Sequence, residues 1–261
     1  MKPANVSQGE GPIILGQPHG GTFVPPEIWA TLNDNGKLLA DTDWHISQVY
    51  DGLLTSATVV VATFHRCVID ANRDPQGGSL YPGQNTTGLC PVTDFDGLPL
   101  YHSGQEPNPA QVEQRRVEFH APYHAALAAE VARVKAKHGY AVVFDCHSIR
   151  SHIPFLFEGT LPDLNIGTDT GKTCALALEE IANDIAKTSS FTSVLNGRFR
   201  GGWTTRHYGQ PSENVHAIQM EVSQSTYLAK QAAPWSFDKA KASALRAVLQ
   251  NILTNLESFR P

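Results

Sequence analysis

The chain has 261 residues and a formal net charge of −5, and it is 41% hydrophobic and 17% charged. This composition supplies enough apolar material for a sizeable core and excludes disordered, collagen-like and coiled-coil chains. No basic run is present, which argues against a nucleic-acid binder and against a cationic membrane-surface protein. Because no composition break divides the chain, we expect a single domain over residues 1–261.

Signals for membrane insertion, export and zinc-knuckle frameworks are missing from the sequence. The longest plainly apolar stretch is Ala57–Ala62, far short of the roughly 20 residues that cross a bilayer. Met1–Pro12 has one lysine and no apolar core, unlike a Sec signal. None of the four cysteines forms a C-x-x-C pair, so reduced thiols in a cytoplasm are the simplest interpretation. No feature of the sequence indicates an oligomeric state.

Strand-like and helix-like segments alternate from the start of the chain. Ile13–Gln17 is predicted to be a strand that ends in a loop. Residues 41–54 carry apolar side chains at helical spacing, so we predict an amphipathic helix with an acidic N-cap. Ala57–Thr63 is predicted to be a buried strand, and Cys67–Ile69 a second, short one.

A long loop and a long helix occupy the middle of the chain. Residues 74–108 are rich in glycine and proline turn signals, and a loop of this length in a compact domain is usually functional or partly disordered. The loop is therefore a candidate for an active-site cover. Pro109–His138 is predicted to be helical, with Pro122 kinking or splitting the helix.

The last part of the chain completes an α/β pattern. Ala141–Cys146 is predicted to be a buried strand that runs straight into His147 and Ser148. The later predicted elements are a helix over Thr173–Ala186, strands over Thr192–Leu195 and Val215–Val222, and a terminal helix over Phe237–Leu256. Strands that alternate with helices predict a three-layer α/β/α fold with a mostly parallel or mixed sheet.

Polar side chains stand at or just past the ends of several predicted strands. These residues are His19, Asn72, Arg73, His147, Ser148 and Glu221. Open α/β sheets bind their ligands beyond the carboxyl ends of the strands. Together with Asp43, which precedes a predicted helix, these residues are expected to converge on one edge of the sheet.

A divalent metal is the cofactor that these residues suit best. A catalytic zinc takes three nitrogen or oxygen ligands and keeps one position for water, and His19, Asp43 and His147 supply such a set. Glu221 would then act as the base for that water. Zinc is favoured, with manganese, cobalt and iron as alternatives. The competing interpretations are a helix N-cap for Asp43 and ordinary hydrogen-bonded roles for the histidines.

Several arginines are further candidates for binding a ligand. Those expected in loops or at strand ends are Arg66, Arg73, Arg150, Arg200 and Arg206. A guanidinium binds a carboxylate through two parallel hydrogen bonds, which favours a small anionic ligand. The alternative is that each of them pairs with an acidic residue of the chain itself.

A serine or cysteine hydrolase is disfavoured by the local sequence. Ser148 lies outside any G-x-S-x-G motif. Cys146 precedes His147 in a strand, where neighbouring side chains point to opposite faces, so Cys146 is expected in the core.

Six motifs, in this order along most of the chain, resemble those of N-formylglutamate amidohydrolases. They are Pro18-His19-Gly20-Gly21, Asp41-Thr42-Asp43-Trp44-His45, the run from Arg66 to Arg73, Asp145-Cys146-His147-Ser148, the run from Gly201 to Gly209, and Gln219-Met220-Glu221-Val222. That family is in turn distantly similar to zinc carboxypeptidases and other zinc-dependent exopeptidases. The resemblance implies hydrolysis of N-formyl-L-glutamate to formate and L-glutamate, the closing step of one route of histidine degradation.

The resemblance to the zinc enzymes also implies roles for individual residues. His147 looks like their late zinc ligand, Asn72-Arg73 like their carboxylate-binding pair, and Glu221 like their catalytic glutamate. Those enzymes carry a His-x-x-Glu motif, whereas here the residue three positions after His19 is Thr22. We therefore choose Asp43 as the second ligand, with Asp41 and His45 as alternatives.

The predicted site is thus Glu221 as the general base and His19, Asp43 and His147 as the metal ligands. The residues predicted to bind the substrate are Arg66, Asn72, Arg73, Arg150 and Arg206. The rival hypotheses are an amidohydrolase for another N-acyl amino acid or a peptide, and a non-catalytic protein that binds a metal or a small anion.

Overall fold

In the computed structural model, which describes residues 1–78 and 83–261, a seven-stranded sheet lies between two layers of helices. The strands are β1 Ala4–Ser7, β2 Ile13–Gln17, β3 Thr58–Ala62, β4 Ala141–Ile149, β5 Leu164–Gly167, β6 Ser193–Leu195 and β7 Val215–Ser223. The helices are α1 Pro26–Trp29, α2 Asp34–Lys37, α3 Ile46–Tyr50, α4 Pro109–Arg115, α5 Ala121–His138, α6 Leu176–Thr188, α7 Trp203–Tyr208 and α8 Lys239–Glu257. No helix among these residues is long and apolar enough to cross a bilayer.

The sheet is mixed, with the strand order β1-β3-β2-β4-β7-β5-β6. The four central strands β3, β2, β4 and β7 are parallel. Strand β1 is antiparallel to β3, and β5 is antiparallel to β7 but parallel to β6. The predicted α/β class, with a mostly parallel or mixed sheet, is therefore confirmed.

Alternation along the central strands divides the core into two halves. In β4, the side chains of Val142, Phe144 and Cys146 pack with α3, α6 and α8 on one face. Ala141 and Val143 pack with α5 and α7 on the other face. Helices thus cover both faces of the sheet, and Cys146 is fully buried in the core, as predicted.

Two local predictions around the site were wrong. The helix expected over residues 41–54 is confined to Ile46–Tyr50, and its N-cap is His45, in the left-handed conformation with φ 60° and no side-chain cap bond. The carboxylate of Asp43 instead accepts a hydrogen bond from the backbone N–H of Ser148, 105 residues away. Residues Cys67–Ile69 form turns rather than a strand, with the N–H of Val68 donating to the carbonyl of His65.

The prediction of a broken helix around Pro122 is confirmed. A π-helical turn, Arg116–His120, joins α4 to α5, and Pro122 is the second residue of α5. Proline has no N–H for an i−4 carbonyl, so the helix departs from α geometry here. Elsewhere, β1, β5, α1, α2 and α7 had not been predicted, because these elements are short.

The long loop over 74–108 contains no helix or extended strand in its described part. Isolated bridges join Thr93 to Pro99 and Leu32 to Tyr101. The loop residues 79–82 lie outside the described residues.

Candidate metal centre and substrate cavity

Three of the predicted residues meet at the carboxyl ends of the central strands. His19 follows β2, Asp43 precedes α3, and His147 lies near the end of β4. The Nδ1 atoms of His19 and His147 are 3.1 Å apart. The Oδ2 atom of Asp43 lies 3.4 Å from Nδ1 of His147 and 3.9 Å from Nδ1 of His19. All three side chains are buried, and this His-Asp-His group is spaced for one metal ion.

Acidic residues behind the two histidines determine which ring nitrogen faces this centre. Nε2 of His19 lies 2.7 Å from Oδ1 of Asp70, and Nε2 of His147 lies 3.1 Å from Oδ1 of Asp145. Hydrogen bonds from the Nε2–H groups to these carboxylates turn the two Nδ1 atoms toward each other. At a distance of 3.1 Å a positive charge must lie between them, either a proton on Nδ1 of His147 or a metal ion that replaces it. Metal-binding histidines are commonly oriented by carboxylates in this way.

The alternatives for the second ligand lie elsewhere. The carboxylate of Asp41 accepts the N–H of Phe95 and lies 3.6 Å from the guanidinium of Arg150. Nε2 of His45 lies 2.8 Å from the carbonyl oxygen of Trp235. Of the three candidates, Asp43 is the one grouped with His19 and His147.

Burial and neighbouring charges give the two histidines opposite pKa shifts. Burial, reinforced by the cation of Arg66, lowers the pKa of His19 to about 4, so its imidazole is neutral near pH 7. Burial also acts against the charged form of His147, but the carboxylates of Asp145 and Asp43 outweigh it and raise its pKa well above the usual range. A metal ion would thus bind to one neutral ring and displace a proton from the other.

Glu221 lies beside this group on the neighbouring strand. His147 and Glu221 are paired in register between the parallel strands β4 and β7, so their side chains share a face of the sheet. Burial raises the pKa of Glu221 to about 8. Gln219, two residues earlier on the same face, donates from Nε2 to Oε2 of Glu221 at 3.3 Å and accepts the N–H of Gly202 at 2.6 Å. The sequence had not singled out Gln219; its position two residues before Glu221 in a buried strand is the available signal.

A cavity opens beside the histidines and contains three of the predicted substrate-binding residues. Arg66, Asn72 and Arg73 line it together with His19, His147 and Glu221. The guanidinium groups of Arg66 and Arg73 lie 3.6 and 3.7 Å from the carboxylate of Asp70. The ring of Phe95 lies 4.9 Å from the guanidinium carbon of Arg66, within cation–π range.

Two predicted residues, Arg150 and Arg206, do not line this cavity. The guanidinium of Arg150 lies 2.9 Å from the carboxylate of Asp96. Arg206, on α7, donates from Nε to the carbonyl of Gly201 and lies 3.4 Å from the carboxylate of Asp169.

One cationic residue of the cavity had been missed. Arg198 lines the wall together with Phe199, Leu156 and Asn85. Its Nε donates to the carbonyl of Leu156 and its Nη2 to that of Asn85, each at 3.1 Å. The sequence signal was its place in an arginine-rich and glycine-rich segment, 197–202, in which Arg200 had been singled out instead.

The loop over 74–108 contributes to the cavity wall. Asn85, Thr86, Thr87 and Phe95 are among the lining residues. Arg73 anchors part of this loop, because its Nε donates to the carbonyl of Thr87 at 2.9 Å. The loop therefore borders the cavity beside the His-Asp-His group.

Comparison with known proteins identifies the family. The profile of the N-formylglutamate amidohydrolase family matches residues 11–228. The chain belongs to this family. The sequence is 43% identical to an N-formylglutamate deformylase of Pseudomonas aeruginosa, over 95% of this chain and 94% of that protein. It is 41% identical to an N-formylglutamate deformylase of Pseudomonas putida, over 95% of this chain and 93% of that protein.

A solved structure of the same family has the same fold. The crystal structure of N-formylglutamate amidohydrolase from Ralstonia eutropha JMP134 superposes with a TM-score of 0.81, at 23% identity, over 99% of this chain and 98% of that chain. The predicted family resemblance is therefore confirmed, and the more distant likeness to zinc carboxypeptidases stays a prediction.

Proposed function

We propose that this protein hydrolyses N-formyl-L-glutamate to formate and L-glutamate with a divalent metal, favoured as zinc, bound by His19, Asp43 and His147. The observation that carries the proposal is the meeting of the two Nδ1 atoms and the Asp43 carboxylate in a cavity that Glu221 also lines. The names of the two Pseudomonas relatives support the substrate. We also propose that the protein is cytoplasmic and acts in histidine degradation.

The chemistry divides between the cation and the carboxylate of Glu221. A divalent cation lowers the pKa of a bound water from 15.7 to about 7 and polarises a carbonyl. Glu221 accepts a proton from the water that attacks the formyl carbon. It then returns that proton to the nitrogen as the carbon–nitrogen bond breaks, so that formate and the free amine of glutamate leave. Burial suits Glu221 to both steps, because a pKa of about 8 lies close to neutral pH.

The cavity also suits a small dicarboxylate substrate. Its cationic lining residues are Arg66, Arg73 and Arg198, and guanidinium groups bind carboxylates well in sites shielded from water. The apolar walls of Phe95, Leu156 and Phe199 restrict the space beside the metal-binding group. A formyl group, the smallest acyl group, fits such a site.

A nucleophilic serine or cysteine is disfavoured by geometry. Cys146 faces the core on the opposite side of β4, and burial raises the pKa of its thiol well above the usual value. The hydroxyl of Ser148 accepts a hydrogen bond from Tyr227 at 2.7 Å, and its N–H holds Asp43. Both residues thus have structural roles.

The test is formate release from N-formyl-L-glutamate, with and without a chelator, alongside N-acetyl-L-glutamate and N-formyl-L-methionine. We expect chelator-sensitive turnover that is selective for N-formyl-L-glutamate. Turnover of another compound in the panel would support the metal-dependent mechanism but contradict N-formyl-L-glutamate as the substrate. Chelator-resistant turnover would reject the metal, and an inert, folded, metal-loaded protein would favour the binding-protein alternative.

A further inference from the structure

Two buried histidines contact the backbone on both sides of Asn72. Nε2 of His124 lies 2.7 Å from the carbonyl oxygen of Ala71, and Nε2 of His120 lies 3.1 Å from that of Arg73. The two rings pack against each other with their centroids 4.4 Å apart. The helix therefore places two imidazoles against one three-residue segment, and that segment carries two lining residues of the cavity.

The break in the helix occurs at one of these contacts. His120 is the last residue of the π-helical turn, and His124 lies one turn later, in α5. Single π turns change the direction of the side chains that follow, and they are frequent at functional sites. The irregular turn at Arg116–His120 thus lies where the helix meets the cavity segment.

The His-x-x-x-His spacing is also that of a helical metal pair, but the contacts here point to a different role. Nε2 of each ring faces a backbone carbonyl, and Nδ1 of His124 lies 3.1 Å from the hydroxyl of Tyr208. Burial lowers the pKa of His124 to about 3 and also lowers that of His120. Both rings are therefore neutral near pH 7, and each has a single N–H to donate.

The segment that they contact is held tightly on its other sides. The N–H of Asn72 donates to the carboxylate of Asp70 at 2.8 Å, and its Oδ1 accepts the N–H of Thr204 at 2.8 Å. A Cβ added at Gly202 would lie within 2.6 Å of the Asn72 side chain, so the backbone packs directly on it. Nδ2 of Asn72 lies 3.0 Å from Nε2 of His147.

We propose that His120 and His124 are positioning residues: their Nε2–H groups hold the carbonyls of Ala71 and Arg73, and so aim Asn72 and Arg73 at the substrate. Neither histidine lines the cavity, so each acts through the backbone. The predicted effect on kinetics rests on the proposed function, because it assumes that Arg73 binds a carboxylate of the substrate. A displacement of about 1 Å in such a group can cost up to 100-fold in rate.

The kinetic test compares substitutions that keep or remove the donor. His124→Leu and His120→Leu remove the N–H, whereas His124→Gln and His120→Gln place an amide N–H near the position of Nε2. We expect each Leu variant to raise KM for N-formyl-L-glutamate about tenfold or more, with a smaller change in kcat. Each Gln variant is expected to stay within about threefold of the parent in both constants. In an Arg73→Ala background, His120→Leu should have little further effect, because coupled residues are not additive.

His216 is the matched control for loss of a buried imidazole. It is 2% exposed, its ring packs on Phe259, and neither ring nitrogen has a hydrogen-bond partner among the described residues. His216→Leu should leave KM unchanged. Three results would overturn the inference: Gln variants as defective as the Leu variants, equal effects of His120→Leu with and without Arg73, or folded Leu variants with parental KM.

A second measurement does not depend on turnover or on folding of the variants. Nitrogen NMR of ¹⁵N-histidine-labelled wild-type protein reports the tautomer of each ring. We expect His120 and His124 to be neutral Nε2–H tautomers with slowly exchanging protons at pH 7. Nδ1–H tautomers, or charged rings, would overturn the inference even in an active enzyme. If the tautomers are as expected but the wild type does not hydrolyse N-formyl-L-glutamate, the proposed substrate fails and the positioning of Asn72 and Arg73 stands.

Discussion

His147 and Glu221 are register partners on the parallel strands β4 and β7, and this pairing places an imidazole of the candidate metal centre beside a buried carboxyl group. Adjacent strands lie about 4.8 Å apart, and paired residues project to the same face. The distance between Glu221 and the candidate metal centre is therefore determined by the sheet. Two loops complete the centre, because they supply His19 and Asp43.

Replacing Glu221 separates catalysis from metal binding. Glu221→Gln keeps the size of the side chain but cannot accept a proton, so we expect kcat to fall by about 10²–10⁴-fold. Bound metal should remain near one equivalent by elemental analysis. Glu213, an exposed residue whose carboxylate lies 3.8 Å from Lys135, provides the control variant Glu213→Gln, with parental kcat expected. A Glu221→Gln enzyme with near-parental kcat would contradict the role of general base.

Substitutions around α3 test the choice of the second ligand. Asp43→Ala removes one of three ligands and should weaken zinc affinity by more than about 100-fold, since loss of a supporting residue alone costs 10- to 100-fold. His45→Asn tolerates the left-handed backbone of position 45 and should leave the affinity unchanged. Competition with a chromogenic chelator measures both values. Weaker binding in the His45 variant, with parental affinity in the Asp43 variant, would reverse the assignment.

Two arginines that the sequence does not distinguish should differ in function. Arg198 lines the cavity, so Arg198→Met should raise KM for N-formyl-L-glutamate about 10- to 100-fold, the value of a hydrogen bond between charged groups. The same variant should discriminate less between this substrate and N-formyl-L-glutamine. Arg206 lies beside Asp169 instead, and Arg206→Met should retain the parental KM. The reverse result would place Arg206 in the binding site and remove Arg198 from it.

Metal uptake should release protons near pH 7. Burial raises the pKa of Glu221 to about 8, and the carboxylates of Asp145 and Asp43, against burial, raise that of His147, so both groups are protonated at pH 7 in the metal-free protein. A cation favours the deprotonated form of each group, so about two protons should leave per metal bound.

Calorimetry of zinc binding in buffers with different ionisation enthalpies counts these protons. The Glu221→Gln variant should release about one fewer than the parent, because an amide has no proton to lose in this range. An equal count in both proteins would show that Glu221 is already ionised before metal binds.

Much of the site could be anticipated from local sequence. His19 and Glu221 lie at or near strand ends because apolar runs of five to nine residues form the central strands, and strand ends are where α/β folds bind ligands. Asn72 and Arg73 were candidates because they follow a predicted strand, and Asp43 because it precedes a predicted helix; the family resemblance added the carboxylate-binding role of Asn72 and Arg73. The break at Pro122 followed from the chemistry of proline itself.

The tertiary structure decided which polar side chains face one another. Asp43 has the residue type and the position of a helix N-cap. Its carboxylate instead accepts a hydrogen bond from the backbone N–H of Ser148, 105 residues away, and no local sequence pattern predicts that contact. The residue type alone does not separate Arg150, Arg198 and Arg206, and of these three only Arg198 lines the cavity. Residue type and spacing thus predicted the four central strands and most of the candidate residues. The packing of distant segments determined which side chains contact each of these residues. A charged or polar group can be buried without a large free-energy cost only where another group pairs with it.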